Sequence, residues 1–579
     1  MKWSLVLVAG ITAFWAAPLR SADLKEKWLY LGGSFNSEQN VSRFIAEMND
    51  AKKSGVTHIA AAEGVCNRPD NAPKEYPDYV QRVLAEAKKL NMQVVPHVYP
   101  IGYGGAWLWY DGNLGAAIPA RNVLFLVQGG AAAPAPDADL QLKNGGFEVA
   151  DGDKLADWQQ PAPGQNTFVD KEVKHGGNSS LKILGKGTSR VSQTFNVKPY
   201  QYYRLTVWTK AQGLQADQES FLGSSFAGSK RRPIYANLGV RNNEDWTKHE
   251  LSFNTFEGGE LKFSIGVSGG TGGTLWIDDL SIEPAGLLHV LRREMCPLKV
   301  TSEDGTTVYE EGKDFKPAAD PGVAAKPFNG YRFDHAAPTI ELTDSSRIKA
   351  GQKLLVSYFH PGRIYGSQTV ISIQDPKVFE LMDKQMQYMA KIWNTYGYFM
   401  KQDEVRAGGY EVQPDGQNLT PGQLLAKQTK LGYDLIKKYQ PSAKVYAWSD
   451  MYTPFHNARP ADKAGPYYYV NGDWTGAWEG LPKDIIIMNW YSPTSQNVKW
   501  FADRGHEQVL CGYYDVSGTD GLKKNILQWM KVTEGSPRID GIMYTTWKNN
   551  YSNMAEFFKL VDEYPSWAAS TTGEAQPEH

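Results

Sequence analysis

The chain has 579 residues and nearly balanced charge, with 61 basic and 63 acidic residues. This length is sufficient for about two to four domains with sizeable cores. A formal net charge of −2 provides no global field for nucleic acid or an anionic membrane, so neither is predicted as a partner. The 18 tryptophans and 31 tyrosines supply flat apolar rings with a polar edge, which suit sugar rings as well as protein cores.

The first 22 residues have the pattern of a secretory signal peptide. Lys2 precedes an apolar stretch from Trp3 to Ala17, which is followed by small residues. The stretch is too short for a comfortable membrane span, and no later segment of the sequence is long and apolar enough to cross a bilayer. The sequence therefore predicts an exported, soluble protein that is secreted or periplasmic.

Eight short apolar segments separated by helical stretches predict an α/β fold. Strand–helix alternation indicates parallel strands, and eight repeats are the count of a (β/α)8 TIM barrel. A doubly wound open sheet is the alternative, but the segment LGGSFN after the first strand is too short a match to a phosphate-binding loop. The predicted strands are Trp28–Leu31, Thr57–Ala61, Gln93–His97, Tyr398–Met400, Lys444–Trp448, Ile485–Asn489, Gln508–Gly512 and Gly541–Thr545.

The barrel repeats fall into two blocks with β-rich sequence between them. Gly, Ser and Thr are frequent in this middle part, and helix signals are scarce. The predicted order is therefore a signal peptide (1–22), barrel strands one to three (23–125), a linker or β excursion (126–139), an inserted jelly roll (140–285), further β-hairpins (286–365), barrel strands four to eight (366–567) and a flexible tail (568–579).

Residues 140–285 alternate apolar and polar positions as half-buried strands do. The block opens with LQLKNGGFE, continues with YRLTVWTKAQG and closes with GGTLWIDDLSIEPAG. In these segments it resembles the jelly-roll carbohydrate-binding modules of families 4 and 9. The resemblance implies a structural calcium with Glu148 and Asp278 at the matching positions, and calcium prefers such carboxylate oxygens. Plain turn acids are the alternative.

Acidic and aromatic residues follow nearly every predicted barrel strand. In a (β/α)8 barrel the chemistry gathers at the C-terminal ends of the strands. The adjacent acids Asp403 and Glu404 follow the fourth strand, and this place favours catalysis over a solvated turn. The other candidates at strand ends are Glu63, His97, Trp448, Asp450, Asn489, Trp490, Tyr514, Asp515 and Trp547, with Arg406 close behind the acidic pair.

The motifs after the strands also carry a resemblance to a family of enzymes. They are VVPHVYPIGYG after the third strand, Asp-Glu after the fourth, Tyr-Tyr-Asp after the seventh, and tryptophans after the fifth, sixth and eighth. In these motifs the barrel resembles glycoside hydrolase family 20, the β-N-acetylhexosaminidases. The resemblance implies substrate-assisted, retaining hydrolysis without a cofactor, in which Glu404 is general acid/base and Asp403 orients the 2-acetamido group. It also implies that Tyr514 bonds that group and that Trp448, Trp490 and Trp547 wall the sugar.

Departures from that family leave two alternatives. The chain has Phe399, Lys401 and Gln402 where the family has a His and two glycines, and Lys548 where it has a Glu. One alternative is a glycosidase for a non-acetylated sugar that uses Glu404 with Asp515 or Asp450. The other is a glycan-binding protein without activity. In all three cases the predicted partner is a glycan or polysaccharide, contacted also by His97, Glu63, Arg406 and Asn489, and the sequence predicts no oligomeric state.

Metal and serine chemistry are not predicted for the barrel. The sequence contains no HxH or HExxH motif, and its GxSxG match, GVSGG at residues 266–270, lies in the β-rich middle part rather than at a strand-to-helix turn. Its three cysteines give neither a disulfide framework nor metal-ligand spacing, and are predicted to be buried thiols: Cys66, Cys296 and Cys511.

Overall fold

The fold is that of a computed structural model, which describes residues 24–564 apart from 141, 217, 227–230, 366–367, 492–493 and 533–537. The predicted signal peptide (1–22) and tail (568–579) lie outside the described residues. Eight parallel strands form a closed barrel, in which the last strand pairs with the first, from Glu26 opposite Gly541 to Leu29 opposite Tyr544. The predicted (β/α)8 barrel is therefore confirmed. Its strands are β1 (Glu26–Gly33), β2 (His58–Glu63), β3 (Gln93–Val98), β4 (Gly397–Met400), β5 (Lys444–Trp448), β6 (Ile485–Asn489), β7 (Gln508–Tyr513) and β8 (Ile539–Thr545).

Alternate residues of these strands fill the barrel interior. Successive side chains of a strand point to opposite faces, so only every second residue of each strand points inward. The residues of the other parity pack against the surrounding helices. The inward residues form one apolar cluster: Trp28, Tyr30, Ala60, Val95, Phe399, Tyr446, Trp448, Ile486, Met488, Val509, Cys511 and Met543.

Helices cover the outside of the barrel after seven of the strands. Several begin with a side-chain cap, such as Ser37 before the first and the capping box of Thr420 and Gln423 at the fourth. After β5 the described residues of the connection form no α-helix but three 3-10 turns, the longest being Ala477–Gly480, and the short strand Tyr469–Val470. Among the described helices, none combines the length and apolar character of a membrane span. The helices are α1 (Glu38–Lys53), α2 (Tyr76–Lys89), α3 (Pro376–Ile392), α4 (Pro421–Tyr439), α5 (Ser495–Asp503), α6 (Gly518–Lys531) and α7 (Met554–Asp562).

Between β3 and β4 the chain leaves the barrel and forms two further antiparallel sheets. The first has six strands in the order Val308–Tyr309, Lys299–Ser302, Lys353–Pro361, Ala117–Gln128, Ala131–Pro134 and Ile340–Glu341. Ala117–Gln128 runs across the boundary that the sequence places at residue 125, because this strand pairs with Lys353–Pro361 rather than with the barrel. Short helices are formed by Gly105–Leu108 and Pro321–Ala324.

The second sheet is the seven-stranded, jelly-roll part of the chain. Its longest strand, Gly259–Pro284, pairs near its start with Gln218–Phe226 and near its end with Tyr202–Gln215. This continuous strand thus lies in the middle of the sheet and joins its two halves. The remaining strands are Thr167–Asp170, Ser180–Val197, Tyr235–Asn237 and Glu244–Asn254. Two-stranded pairs complete the fold: Ala150–Asp151 with Lys154–Leu155, Arg363–Ile364 with Gln368–Thr369, and Ala407–Gly408 with Tyr469–Val470.

Candidate active site

Three carboxylates meet at the C-terminal ends of β4 and β5. Asp403 and Glu404 follow the end of β4 at Met400, and Asp450 follows the end of β5 at Trp448. The backbone N–H of Glu404 donates to Asp450 Oδ2 at 2.8 Å. Glu404 has a φ of +49°, in the left-handed region that a side chain such as Glu rarely adopts. The chain therefore turns at the acidic pair, so the two side chains are not forced to opposite faces as they would be in a strand.

The Glu404 carboxylate is held at both oxygens. Arg406 Nη2 donates to Oε1 at 2.5 Å, and the Tyr103 hydroxyl donates to Oε2. Arg406 is only 6% exposed, and its guanidinium lies 4.6 and 4.8 Å from the ring centres of Tyr365 and Tyr467. A charge-assisted bond to a buried, stacked arginine fixes the orientation of this carboxylate. Arg406, a predicted substrate contact, therefore acts on Glu404.

The jelly-roll domain contacts the two tyrosines that pack against Arg406. The ring of Tyr235, in the jelly roll, lies 5.2 Å from the ring of Tyr365 and 6.0 Å from that of Tyr467. The backbone N–H of Arg232 donates to Pro466 O at 2.8 Å. The jelly roll is thus packed against the same loops that hold Arg406.

Asp403 and Asp450 retain protons to an unusually high pH. Burial raises the pKa of Asp450 to about 7, and the charge of Asp403 contributes to this rise. Burial likewise raises the pKa of Asp403 to about 6, against the opposing effect of the Lys401 ammonium. Asp450 is fully buried and accepts hydrogen bonds from Glu404 N at 2.8 Å, Asn457 Nδ2 at 2.8 Å and Trp490 Nε1 at 3.1 Å. Asp403 differs, because its Oδ1 is buried and has no hydrogen-bond partner among the described residues.

Aromatic rings line the mouth of the barrel beside these carboxylates. Trp448 lies at the bottom, only 2% exposed, and Trp547 lies at the rim, 48% exposed. The ring centres of Trp448, Trp490 and Trp547 are 5.9–6.1 Å apart. The ring of Tyr514 is nearly parallel to Trp547 at 5.9 Å, and its hydroxyl donates to Cys511 O. The structure thus brings together the three predicted tryptophans and Tyr514, although the Tyr514 hydroxyl is bonded to backbone.

Two further predicted residues lie near the mouth in supporting positions. His97 points into the barrel beneath the aromatic rings, 4.7 Å from the ring of Phe399, and burial lowers its pKa well below the usual range. Asp515 accepts hydrogen bonds from Thr546 Oγ1 at 2.6 Å and from Trp547 N at 2.9 Å. Asp515 therefore fixes the turn that presents Trp547.

The structure places Glu63 and Asn489 behind the strands rather than at the mouth. Glu63 accepts hydrogen bonds from three backbone N–H groups and from the Tyr76 hydroxyl of α2, at 2.7–3.1 Å. Asn489 donates to Gln508 Oε1 at 3.1 Å and accepts from Asn497 Nδ2 at 2.9 Å. Both residues have the outward parity of their strands, opposite to Ala60 and Met488, and this alternation directs them to the helices.

Tyr30 and Tyr103 contribute to the site but are not among the residues predicted from the sequence. Tyr30 points inward from β1, and its ring lies 5.2 Å from that of Trp547. Tyr30 lies two residues after Trp28 in β1, so both side chains point into the barrel, and this alternation can be read from the sequence. Tyr103 lies in the loop after β3, and its contact with Glu404 joins residues 301 positions apart, for which the sequence offers no local signal.

Gly102 allows this loop to pass close to the acidic pair. A Cβ at Gly102 would lie 1.8 Å from the backbone oxygen of Asp403, so that one of the two segments must move. We expect Gly102→Ala to lower the stability by roughly 1–3 kcal/mol, because one of the two segments is displaced. Thermal unfolding measures the effect. Gly64→Ala is the control, since its Cβ would contact nothing within 4 Å, and equal behaviour of the two variants would contradict the close approach.

The two predicted calcium ligands of the jelly roll both accept hydrogen bonds from backbone N–H groups of the loop at residues 175–178. Asp278 accepts from the backbone N–H groups of His175 and Gly176, at 2.8 and 3.1 Å, and Glu148 accepts from that of Asn178 at 2.9 Å. Calcium requires oxygen ligands, whereas N–H donors face these carboxylates. No group of three metal-binding side chains occurs among the described residues. The residues as placed therefore do not form a calcium cage, and the structural calcium stays a prediction.

Comparison with known proteins identifies no family. No family model and no curated protein sequence match the chain. Among solved structures, the rhamnosidase from Novosphingobium sp. PP1Y is similar over 94% of this chain and 59% of its own, with 10% identity and a TM-score of 0.33. A structure described as CBM4 is similar over 25% of this chain and 99% of its own, with 14% identity and a TM-score of 0.18. The carbohydrate-binding module TmCBM61 in complex with beta-1,4-galactotriose is similar over 25% and 97%, with 22% identity and a TM-score of 0.20.

Proposed function

We propose that the protein is a glycoside hydrolase whose reaction takes place among Asp403, Glu404 and Asp450. Glycoside hydrolysis needs a carboxylic acid that protonates the leaving oxygen and a nucleophile or base on the other side of the anomeric carbon. The raised pKa values of Asp403 and Asp450 retain protons at the site near neutral pH. The tryptophan rings offer apolar faces against which a sugar ring packs.

The buried, unpartnered Oδ1 of Asp403 is the observation that carries this proposal. A buried acceptor without a donor is unfavourable, so its place beside Glu404 indicates a ligand group that donates a hydrogen bond there. The N–H of a 2-acetamido group is such a donor. We therefore propose an N-acetylhexosamine-containing glycan as substrate, with Asp403 orienting the acetamido group.

In this mechanism Glu404 donates its proton to the glycosidic oxygen as the bond to the anomeric carbon breaks. The acetamido carbonyl oxygen attacks the anomeric carbon and forms a cyclic intermediate. Glu404, now ionised, takes a proton from water, which opens the intermediate with net retention. Arg406 and Tyr103, which bond the two oxygens of Glu404, keep the carboxyl oriented through both steps.

A second candidate reaction follows from the ion pair. Because Glu404 is paired with Arg406 while Asp403 has the raised pKa, Asp403 is then the proton donor and Glu404 the nucleophile or base for a non-acetylated sugar. Asp515 is not needed in this reaction, since its carboxylate holds the Trp547 turn.

Aryl glycosides with and without a 2-acetamido group distinguish the two reactions. For the first reaction we expect cleavage of N-acetylhexosaminides only, and a loss of at least about 100-fold in kcat/KM in Asp403→Asn. For the second we expect cleavage of plain hexosides and loss of the alkaline limb of the pH profile in Asp403→Asn. Asp503→Asn, on the exposed face of α5, is the control and should retain full activity. Binding of glycans without turnover of any member would favour a glycan-binding protein instead.

Export is proposed from the apolar segment within residues 1–22. N-terminal sequencing of protein recovered outside the cytoplasm tests this, and recovery of the uncleaved chain from the cytoplasm alone would contradict it.

A further inference from the structure

The exposed aromatic rings of the described residues gather at one end of the barrel. They follow the strands β3, β5, β6 and β8, and they are Tyr103, Phe455, Tyr491 and Trp547. The C-terminal ends of parallel barrel strands lie at one end, so these four rings lie at the same end as the carboxylates. Single exposed apolar side chains are common on protein surfaces, but a group of large rings in one place indicates a binding surface.

Tyr491 extends the aromatic lining of the mouth outward. It is the most exposed of the four residues, at 63%. Its ring centre lies 5.8 Å from that of Trp490, which in turn lies 6.0 Å from that of Trp547. Trp490 Nε1 also donates to Asp450 Oδ1 at 3.1 Å. A single ring therefore separates Tyr491 from a carboxylate of the site.

Neighbouring loops hold Tyr491 in this position. The ring of His456, in the loop after β5, is nearly parallel to that of Tyr491, with the ring centres 4.8 Å apart. Burial lowers the pKa of His456 to about 3, so this supporting ring is uncharged near neutral pH. The backbone N–H of Tyr491 donates to the Tyr514 hydroxyl at 3.0 Å.

The backbone of Tyr491 is strained, and one face of its ring is open. Its φ is +78°, in the left-handed region that a tyrosine rarely adopts, and such strain persists where the surroundings hold it. His456 covers one face of the ring, while the residue as a whole is mostly exposed. The second face is therefore presented to solvent, as a flat apolar surface beside the tryptophans of the mouth.

We propose that the open face of Tyr491 is a platform for a second sugar unit, next to the unit that packs against the tryptophans of the mouth. The C–H face of a sugar ring packs against such an aromatic ring. The substrate is then a glycan chain of at least two sugar units rather than a single unit on any leaving group. The place of this platform beside the reaction rests on the proposed glycosidase function, to which the chain adds a substrate class.

Binding of sugars of increasing length tests the platform. Two series of one to three units are used, the N-acetylchito-oligosaccharides and the cello-oligosaccharides, so that acetylated and plain sugars are both represented. Calorimetric titration is made in a Glu404→Gln background, so that cleavage does not disturb the measurement. We expect the trisaccharide of the preferred series to bind at least about tenfold more tightly than the monosaccharide. Tyr491→Ala should remove most of this gain, whereas Tyr491→Phe, which retains the ring, should keep it.

Val308→Ala is the control, because Val308 is also an exposed apolar residue, at 52%, but lies in the six-stranded sheet. It should retain the gain with chain length. Equal affinity for one and three units in both series, absence of binding by either series, a gain that survives in Tyr491→Ala, or a gain lost in Tyr491→Phe would overturn the proposal.

Aryl monoglycosides, tested in parallel with the unmutated enzyme, separate the platform from the reaction. Their cleavage without any gain in affinity with chain length would refute the platform alone. A gain that depends on Tyr491, without turnover of any aryl glycoside or oligosaccharide, would refute the glycosidase and leave a glycan-binding surface.

Discussion

Glu404→Gln is expected to lower kcat/KM for glycoside hydrolysis by about 10²–10⁴-fold, the usual contribution of a general acid or base. The glutamine side chain has the same shape but neither gives up a proton at the glycosidic oxygen nor takes one from water. It still offers one oxygen to Arg406 or to Tyr103, which bond the two carboxylate oxygens in the native protein. Because Arg406 is buried and loses its counter-charge, a fall in stability is expected as well. Thermal unfolding therefore accompanies the kinetics.

The leaving group separates loss of acid catalysis from general damage. If Glu404 protonates the leaving oxygen, the loss in the first chemical step should be much smaller for a dinitrophenyl glycoside, whose leaving group needs no proton. Glu507→Gln is the matched control, since Glu507 also pairs with an arginine, Arg538 at 2.8 Å, but at the opposite end of the barrel before β7. It should keep full activity. A Glu404→Gln enzyme that is folded and fully active would remove Glu404 from the mechanism.

The fold could be predicted from the sequence because its main signals are local. Each barrel strand is a short apolar run next to a helix with a clear amphipathic pattern, as in Lys444–Trp448 after α4. The end of the first barrel block has no such local signal. Ala117–Gln128 has the apolar character of a barrel strand, but it joins the six-stranded sheet through Lys353–Pro361, more than 200 positions away. Such long-range pairing leaves no local mark in the sequence.

The candidate site could be predicted in part, and strand parity explains which part. The inward positions of β5 and β6 lead to Trp448, Asp450 and Trp490, all of which lie at the mouth. Glu63 and Asn489 have the outward parity and lie among the helices. Parity counted from the apolar residues of each strand separates the two groups from the sequence alone.

The rest of the site comes from segments outside the barrel strands. Tyr103 lies in a loop, and Gln368, which donates to the backbone oxygen of Glu404, belongs to a hairpin near the end of the β-rich insertion. Their positions depend on how the insertion packs against the barrel, which no periodicity records. Sequence patterns therefore predict the acids and the tryptophans but not the neighbours that orient Glu404.

Asp450→Asn is expected to make the protein more stable than the native form above about pH 7 and less stable near about pH 4. Burial raises the pKa of Asp450 from 3.8 to about 7. Because the folded chain binds this proton more tightly than the unfolded chain does, the contribution of Asp450 to stability is greatest below about pH 4 and is lost as the pH rises to about 7. At alkaline pH the ionised, buried carboxylate costs roughly 4 kcal/mol relative to its neutral form.

The asparagine removes that cost but introduces a smaller one. Asp450 accepts from Glu404 N, Asn457 Nδ2 and Trp490 Nε1, whereas an asparagine has one acceptor oxygen and turns its NH2 towards a donor. An unsatisfied donor costs about 1–3 kcal/mol. At high pH the stability gained by removing the buried charge exceeds the stability lost through the unsatisfied donor. At low pH the carboxyl is neutral, so only that loss remains. The plots of stability against pH for the two proteins should therefore cross. Thermal unfolding at about pH 4 and about pH 9 measures this.

Asp314→Asn is the control of opposite sign. Arg347 donates a hydrogen bond to Asp314 and holds the pKa of this carboxyl well below its usual range. The ionised carboxylate therefore stabilises the fold, so Asp314→Asn should destabilise the protein, and more so at high pH, where Asp314 is ionised. Curves for Asp450→Asn that do not cross would contradict the buried, proton-holding state of Asp450. Hydrolysis should fall in Asp450→Asn even where the protein is more stable, because the carboxylate no longer fixes the N–H of Glu404. A variant that gains stability and loses activity at the same pH would show that the chain retains this acid for function at the expense of stability.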